Sequence, residues 1–331
     1  MTKLSIVIVN WNVRDLLHKC LASLRVATKN ITTTLRCSEA TATDWRRTAE
    51  IYVVDNASTD GSVEMVRAEF PEVILIVNKE NKWFPHANNQ ALKEAKGEYA
   101  LLLNPDTVVK EDALEKLLGF MANHPETGLI GPKIIYPDGR IQDECARELP
   151  SLSGVVFSLF GLKRLFPKNK LFAKEVLGGW DHKTSRYIPA ISGSCMLIRT
   201  ELIKRIGFLD ETIPMFYEDI DLCQRVRQAG FKTYYLADAE IIHYAGQSAR
   251  KQSSRKMIQA LEFPAYQRFF TRHYPATALF MFNLILIAGS ALRIMFIMPV
   301  WLLLSAIGKK SNEFSLETLK KYLIALKIGL S

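Results

Sequence analysis

Short apolar runs alternate with helical patterns over the first 130 residues of the chain. Leu4–Val9 is a run rich in β-branched residues, and Arg14–Val26 follows with apolar positions three and four apart. The same rhythm repeats as Ile51–Val54 and Gly61–Phe70, Val73–Val77 and His86–Lys96, then Tyr99–Leu103 and Glu111–Met121, ending on Leu129–Ile135. Strands that alternate with helices predict an α/β domain with a mainly parallel central sheet. Ligands in such sheets bind beyond the carboxyl ends of the strands, so residues just after each run are the ones to examine.

Two stretches break the rhythm. Residues 27–50 form a polar, Thr-rich insertion, and residues 137–190 read as loops over the site, with Pro, Gly and Lys scattered through them. Regularity returns at Cys195–Ile198, with helices expected from Thr200 and Glu218 and strands near Lys232–Leu236 and Glu240–His243. Residues 276–308 are the most apolar part. A straight helix of that length would reach roughly 45–50 Å, beyond a ~30 Å hydrocarbon core. Arg293 and Pro299 divide it into two segments of about 15 residues, each short for a full span. A membrane-embedded or interfacial helical hairpin fits this pattern, with a buried dimerisation hairpin as the alternative. The expected division is therefore 1–245 as a catalytic domain, 246–275 as a basic amphipathic segment, and 276–331 as a membrane-associated hairpin and tail.

Charge sharpens this picture. The 331 residues carry 43 Lys and Arg against 34 Asp and Glu, a net +9. The excess is confined to residues beyond 243: 244–275 carry six basic groups and one acidic, and 309–331 carry five and two. Residues 1–243 are formally neutral. A basic balance usually suggests nucleic acid. Here it flanks an apolar stretch, so an anionic membrane surface is the expected partner and nucleic acid is not. Five scattered cysteines without a C-x-x-C pair argue against a disulfide framework and for a reducing compartment. No signal peptide precedes the first run.

Four clusters follow the expected strands, and each has an ordinary structural reading beside the chemical one. Trp11, in Asn10-Trp11-Asn12, could stack on a nucleobase or simply pack. Asp55 ends the second run and could accept from ribose hydroxyls, while Ser58, Thr59 and Asp60 suit helix capping. Asp106, in Asn104-Pro105-Asp106-Thr107, suits a hard divalent cation or a plain turn with a cap at Thr107 or Asp112. In Glu218-Asp219-Ile220-Asp221, Asp219 shares a helical stripe with Leu222, Cys223 and Val226 and points inward, whereas Asp221 points elsewhere. An inward carboxylate under a cleft is a general-base candidate, and three acids at a helix start also suit the dipole. His243 ends an apolar run, a position a structural histidine could equally occupy.

Taken together and in order, these segments resemble the family-2 inverting glycosyltransferases of the GT-A fold, in their bacterial rhamnosyltransferase-like branch. The resemblance covers about residues 3–250. It includes SIVIVNWN (5–12), VVDNASTDGS (53–62), N-x-x-F-x-x-A-N-N (81–89), LLLNPDT (101–107), SGSCMLIR (192–199), FYEDIDLCQRVRQAGF (216–231) and IIHYAGQS (241–248).

The resemblance implies that Asp55 holds the base and ribose of a nucleotide-sugar, with Trp11 near the base. Asn81, Asn88 and Asn89 would line the donor side. Asp106 would be the metal-binding acid and His243 a further ligand of Mg²⁺ or Mn²⁺. Asp219 would be the catalytic base, with Glu218 beside it contacting acceptor. It further implies a dTDP- or UDP-sugar donor, best matched by dTDP-L-rhamnose, and a lipid-linked saccharide acceptor at the cytoplasmic face of the membrane. A homo-oligomer is compatible with all of this.

Asn104 stands where the family motif has its first Asp. Trp83 and Pro85 stand where small residues are usual, which implies a reshaped donor-side loop. Two other classes would leave different marks on these residues. A catalytically silent sugar-nucleotide-binding or scaffold protein would be expected to have lost Asp55, Asp106, Asp219 and His243. A nucleotidyltransferase would want a Gly-rich phosphate loop after the first run, which Asn10-Trp11-Asn12 is not.

Overall fold

A computed structural model of the chain describes residues 3–34, 49–213, 215–245, 262–306 and 313–330. Most of the 27–50 insertion, all of 246–261 and the end of the IIHYAGQS segment therefore lie outside the described residues. The chain divides into two compact units. The first comprises residues 1–148, 181–214 and 218–251; the second comprises 149–180, 215–217 and 252–331.

The first unit is built on a nine-stranded sheet. Its leading strands are β1 (Leu4–Asn10), β2 (Ala49–Asp55), β3 (Ile74–Val77) and β4 (Tyr99–Leu103). After them come β5 (Thr107–Val109), β6 (Thr127–Ile135), β7 (Ala146–Arg147), β8 (Arg186–Tyr187), β9 (Ala190–Ile191), β10 (Cys195–Arg199) and β11 (Lys232–His243). The strand order is β3-β2-β1-β4-β10-β6-β11-β5, with β8 added beside β11, and β7 and β9 form a separate two-stranded ribbon. β3, β2, β1 and β4 run parallel; β10 enters antiparallel between β4 and β6, and β11 again runs parallel to β6. The sheet is thus mixed, with its long strands mostly running one way.

Helices α1 (Arg14–Thr34), α2 (Ser62–Glu69), α3 (Trp83–Glu94) and α4 (Ala113–Asn123) separate the early strands, and α7 (Thr200–Ile206) and α8 (Glu218–Gln228) the later ones. Every residue of β1 and β4 is buried, which requires cover on both faces of the sheet. The edge strand β3 is half exposed. The register pairs Asn10 with Asp55, so the ends of β1 and β2 stop side by side.

Local chemistry explains several departures from the sequence pattern. α3 begins at Trp83, three residues before the periodic signal, because Pro85 falls in its first turn, where a missing N–H costs nothing. The two expected strands at 232–243 are one strand with register shifts, the larger between Leu236 and Glu240. Asp60 takes up the backbone N–H groups of both Arg14 (2.9 Å) and Ser62 (3.2 Å), so it serves the starts of α1 and α2 together. Thr107 opens β5, and Asp112 makes no side-chain cap bond to α4. All four described cysteines are free and buried.

The second unit holds α5 (Leu152–Leu159) and α6 (Leu162–Leu165) from within the stretch read as loops. It also holds α9 (Glu262–His273), α10 (Ala276–Ala306) and α11 (Glu313–Leu330). The two segments expected on either side of Arg293 and Pro299 are one continuous helix, α10, and the hairpin is formed instead by α10 with α11. Gln267 ties the three helices together, reaching Asn283 Oδ1 (3.3 Å) and the Ile328 carbonyl (3.0 Å). Residues Ala276–Phe296 are long and apolar enough to cross a membrane, and only 22% of the apolar window is buried.

Candidate active site

The ends of β1, β2, β4 and β11 carry the residues singled out from the sequence. Asp55, the last residue of β2, is buried; its Oδ1 accepts from Asn10 Nδ2 and its Oδ2 from the Ser58 N–H, both at 2.8 Å. Asn10 Nδ2 also reaches Ser58 Oγ at 3.1 Å, and Asn12 Oδ1 accepts the Thr59 N–H at 2.8 Å. The loops after β1 and β2 are therefore stitched into one platform, on which Trp11 is partly exposed. Asn12, Ala57 and Trp83 all take left-handed backbone angles (φ 55, 66 and 66) in the loops after β1, β2 and β3, a strained conformation that tends to mark sites.

The three asparagines differ in what they do. Asn81 Oδ1 accepts from Asn56 Nδ2 (3.1 Å) and from the Trp83 N–H (2.9 Å), closing the loop after β3. Asn88 is buried and donates to the Phe84 carbonyl within α3 at 2.8 Å. Asn89 exchanges hydrogen bonds with the Leu209 backbone (2.9 and 3.0 Å) and donates to Glu211 Oε1 (2.9 Å). Its amide is spent on holding the turn after α7.

Asp106 and His243 are brought together by register, since His243 lies opposite Thr107 across β11 and β5. His243 Nε2 stands 3.2 Å from Asp106 Oδ1, with both side chains nearly buried. Gln142 fixes a proton on one ring nitrogen. Its Nε2 donates to the His243 carbonyl (2.7 Å), so the atom facing His243 Nδ1 at 3.0 Å is the acceptor Oε1. Nδ1 accordingly carries a proton, which leaves Nε2 as the ring atom facing the carboxylate, where its lone pair can serve a cation. Two electron-rich groups so placed want a cation or a proton between them. Their 3.2 Å separation is close to the ~3 Å between adjacent ligands of an octahedral ion with bonds of ~2.1 Å. No cluster of three or more metal-ligating side chains occurs among the described residues. The pair therefore fits a Mg²⁺- or Mn²⁺-type ion that takes its remaining ligands from phosphate and water.

Asp219 lies at the start of α8. Its Oδ2 accepts the Gly193 N–H and its Oδ1 the Ile220 N–H, both at 2.8 Å. One residue further on, the Ser194 carbonyl accepts the Asn104 N–H at 3.0 Å. Ser192-Gly193-Ser194 thus bridges the carboxylate of Asp219 and the loop that carries Asp106. Glu218 is buried, and its Oε2 has no hydrogen-bond partner. Burial, reinforced by the neighbouring Asp219 charge, pushes its carboxyl well above the usual range, to about 8. At neutral pH Glu218 is a protonated acid that can donate a hydrogen bond.

Asp221 has partners different from those of Asp219 and is buried as well. Its carboxylate receives Arg225 Nε at 2.8 Å. Arg225 also caps the carbonyls of Ile206, Gly207 and Phe208. The turn 206–211 is consequently gripped by α8 through Arg225 and by α3 through Asn89. Sequence reasoning missed Gln142, Gly193 and Arg225. Gln142 and Gly193 meet their partners over long separations that carry no local period, whereas Arg225 stands four residues after Asp221 on one helix and was legible from that spacing.

An α/β sheet of this order, with acidic residues after its parallel strands and a carboxylate at the start of α8, defines a GT-A type glycosyltransferase. The chain belongs to glycosyl transferase family 2, whose model matches residues 5–207. It is 28% identical over 261 residues to the N-acetylglucosaminyl-diphospho-decaprenol L-rhamnosyltransferase of Mycobacterium tuberculosis, covering 74% of this chain and 77% of that protein. It is also 28% identical over 183 residues to the rhamnosyltransferase WbbL of Escherichia coli, covering 52% and 64%. Among solved structures, the mannosyltransferase PcManGT from Pyrobaculum calidifontis in complex with GDP-Man and Mn²⁺ shares the fold (TM-score 0.55, 16% identity, covering 98% of this chain and 86% of that one).

Proposed function

We propose that this glycosyltransferase moves L-rhamnose from dTDP-L-rhamnose to a hydroxyl of a lipid-linked saccharide, in cell-surface polysaccharide synthesis at the cytoplasmic face of the membrane. The names of the two rhamnosyltransferase relatives support the donor, and the M. tuberculosis relative supports a lipid-diphosphate acceptor. The observation that carries the mechanism is the Ser192–Ser194 bridge, which couples Asp219 to the loop bearing Asp106 through two backbone hydrogen bonds.

Asp219 takes the proton of the acceptor hydroxyl as its oxygen attacks the anomeric carbon. The bond from that carbon to the diphosphate oxygen breaks in the same displacement, so the configuration inverts. Protonated Glu218 donates a hydrogen bond to the acceptor. Asp55 and Trp11 bind the nucleoside, with Asn81 shaping the donor side; Asn88 and Asn89 support α3 beneath it. Asp106 and His243 would hold a divalent cation, which would supply charge neutralisation for the departing diphosphate.

A panel of nucleotide-sugars, with and without a polyprenyl-diphosphate-saccharide, tests the proposal by the nucleotide released. Free dTDP from dTDP-L-rhamnose alone among the donors, dependent on acceptor, is the expected result. Pyrophosphate would indicate nucleotidyl transfer, and binding without turnover a silent protein. Asp219→Asn should abolish transfer with donor affinity intact; near-normal turnover would remove the base from Asp219.

A further inference from the structure

Residues 160–174 contain five basic residues and no acidic one (Phe-Gly-Leu-Lys-Arg-Leu-Phe-Pro-Lys-Asn-Lys-Leu-Phe-Ala-Lys). Interleaved with them, Phe160, Leu165, Phe166 and Leu171 are exposed, Leu165 by 69% and Leu171 by 58%. These apolar side chains are held in place by built structure. Asn169 Oδ1 accepts the N–H groups of Leu171 (2.9 Å) and Phe172 (3.1 Å). The Phe172 ring meets Phe157 edge-on at 5.1 Å and Phe166 at 5.5 Å.

The segment lies beside the middle of α10, within the same unit. Leu159 Cδ1 is 2.9 Å from the point a Cβ on Gly289 would occupy, so α5 rests directly on that glycine. An Arg293 guanidinium nitrogen is 3.2 Å from the corresponding point on Gly161, where φ of 72 reverses the chain. Just beyond, Met295 and Phe296 of α10 are exposed, Phe296 by 70%. Large exposed apolar groups flanked only by basic ones match the interfacial zone of an anionic bilayer, where lysine stems lie on lipid and their charges reach the headgroups. The 1–243 portion of a second copy is formally neutral, so it carries no net charge to attract the basic segment, whereas an anionic bilayer does. A spanning α10 would carry the basic segment beside Arg293 into the hydrocarbon, where charge is costly.

We propose that residues 160–174 and the middle of α10 form a single lipid-binding face, and that α10 runs along the surface of an anionic membrane instead of crossing it. This rests on the membrane location proposed above and gives it an orientation.

The test is depth measurement on the full chain with NBD attached at Leu171→Cys or at Met295→Cys, each in a Cys37→Ser background. Vesicles contain phosphatidylglycerol or phosphatidylcholine alone, with nitroxide quenchers near the headgroup or at the bilayer centre. The expected result is a blue-shifted label at both sites in phosphatidylglycerol, quenched more strongly by the shallow nitroxide. Lys163→Glu/Lys168→Glu/Lys170→Glu/Lys174→Glu should weaken phosphatidylglycerol-vesicle binding at least tenfold while donor binding in detergent stays unchanged. A label at 171 that stays aqueous on fully vesicle-bound protein would overturn the inference, as would central quenching at 295 or a lipid-independent shift that grows with protein concentration. A chain that binds no vesicle at all would instead remove the membrane location itself.

Discussion

Gly193 gives its N–H to Asp219 Oδ2 at 2.8 Å, and the missing side chain there keeps the approach uncrowded. A Cβ on Gly193 would sit 3.3 Å from Asp219 Cβ and 3.5 Å from Oδ2. Gly193→Ala should therefore tilt the carboxylate while leaving the nucleotide platform of β1 and β2 alone. The crowding amounts to a few tenths of an ångström, so a severalfold loss is expected, short of the roughly 10²-fold that a ~1 Å misplacement costs. Steady-state kinetics should show that loss in kcat with donor KM little changed; an unaltered kcat would mean that the bridge does not position the base.

Gln142 should matter to cation binding although it touches no phosphate. Gln142→Leu removes the acceptor that fixes the His243 tautomer and should weaken Mn²⁺ binding by roughly 10–100-fold. Electron paramagnetic resonance titration of free Mn²⁺ with nucleoside diphosphate present reads this directly. Asp106→Ala should abolish cation-dependent donor binding altogether.

Glu218 sets a pH dependence of stability. Its folded carboxyl holds a proton up to about 8, whereas in the unfolded chain it ionises near the ordinary ~4.3. Below that lower value both states are protonated and the residue carries no penalty. Between the two the unfolded chain is the first to release its proton, so stability is lost as pH rises toward the folded value. Glu218→Gln should unfold at a higher temperature than the parent at pH 8 and at the same temperature near pH 4. A melting curve series over that range checks the sign.

Asp221 and Arg225 form the structural counterpart. Asp221→Ala strands a buried guanidinium, and breaking a buried pair in this way costs about 3–5 kcal/mol. Denaturant unfolding should register the loss, and the 206–211 turn should gain protease sensitivity because Arg225 caps three of its carbonyls.

The alternation of apolar runs and helical stretches was enough to locate β1, β2, β4, β6 and β10 and the helices between the early strands. Each is a local pattern, and burial acts on it locally. The same logic placed Asp55, Asp106 and His243 at strand ends, because loops beyond parallel strands are where a chain of this class can expose polar groups. Periodicity also found the inward stripe of α8 but said nothing of the burial of Asp221. A stripe is defined by one buried face, and α8 is enclosed on nearly all sides, with even Arg225 buried.

What the tertiary structure decided depends on residues far apart in the chain. Gln142 meets His243 across 101 positions and Gly193 meets Asp219 across 26, distances over which no helical or strand period carries information. The apolar tail shows the same division. Composition marked 276–308 for lipid, yet whether Arg293 and Pro299 break the helix was decided by packing, because α5 and α11 support α10 along its length. The sequence by itself determined the family, the layered architecture and the residue types for sugar transfer. Folding determined which carboxylate is held by backbone N–H groups, which is locked to an arginine, and which is buried without a hydrogen-bond partner at Oε2, because burial and long-range contacts set those environments.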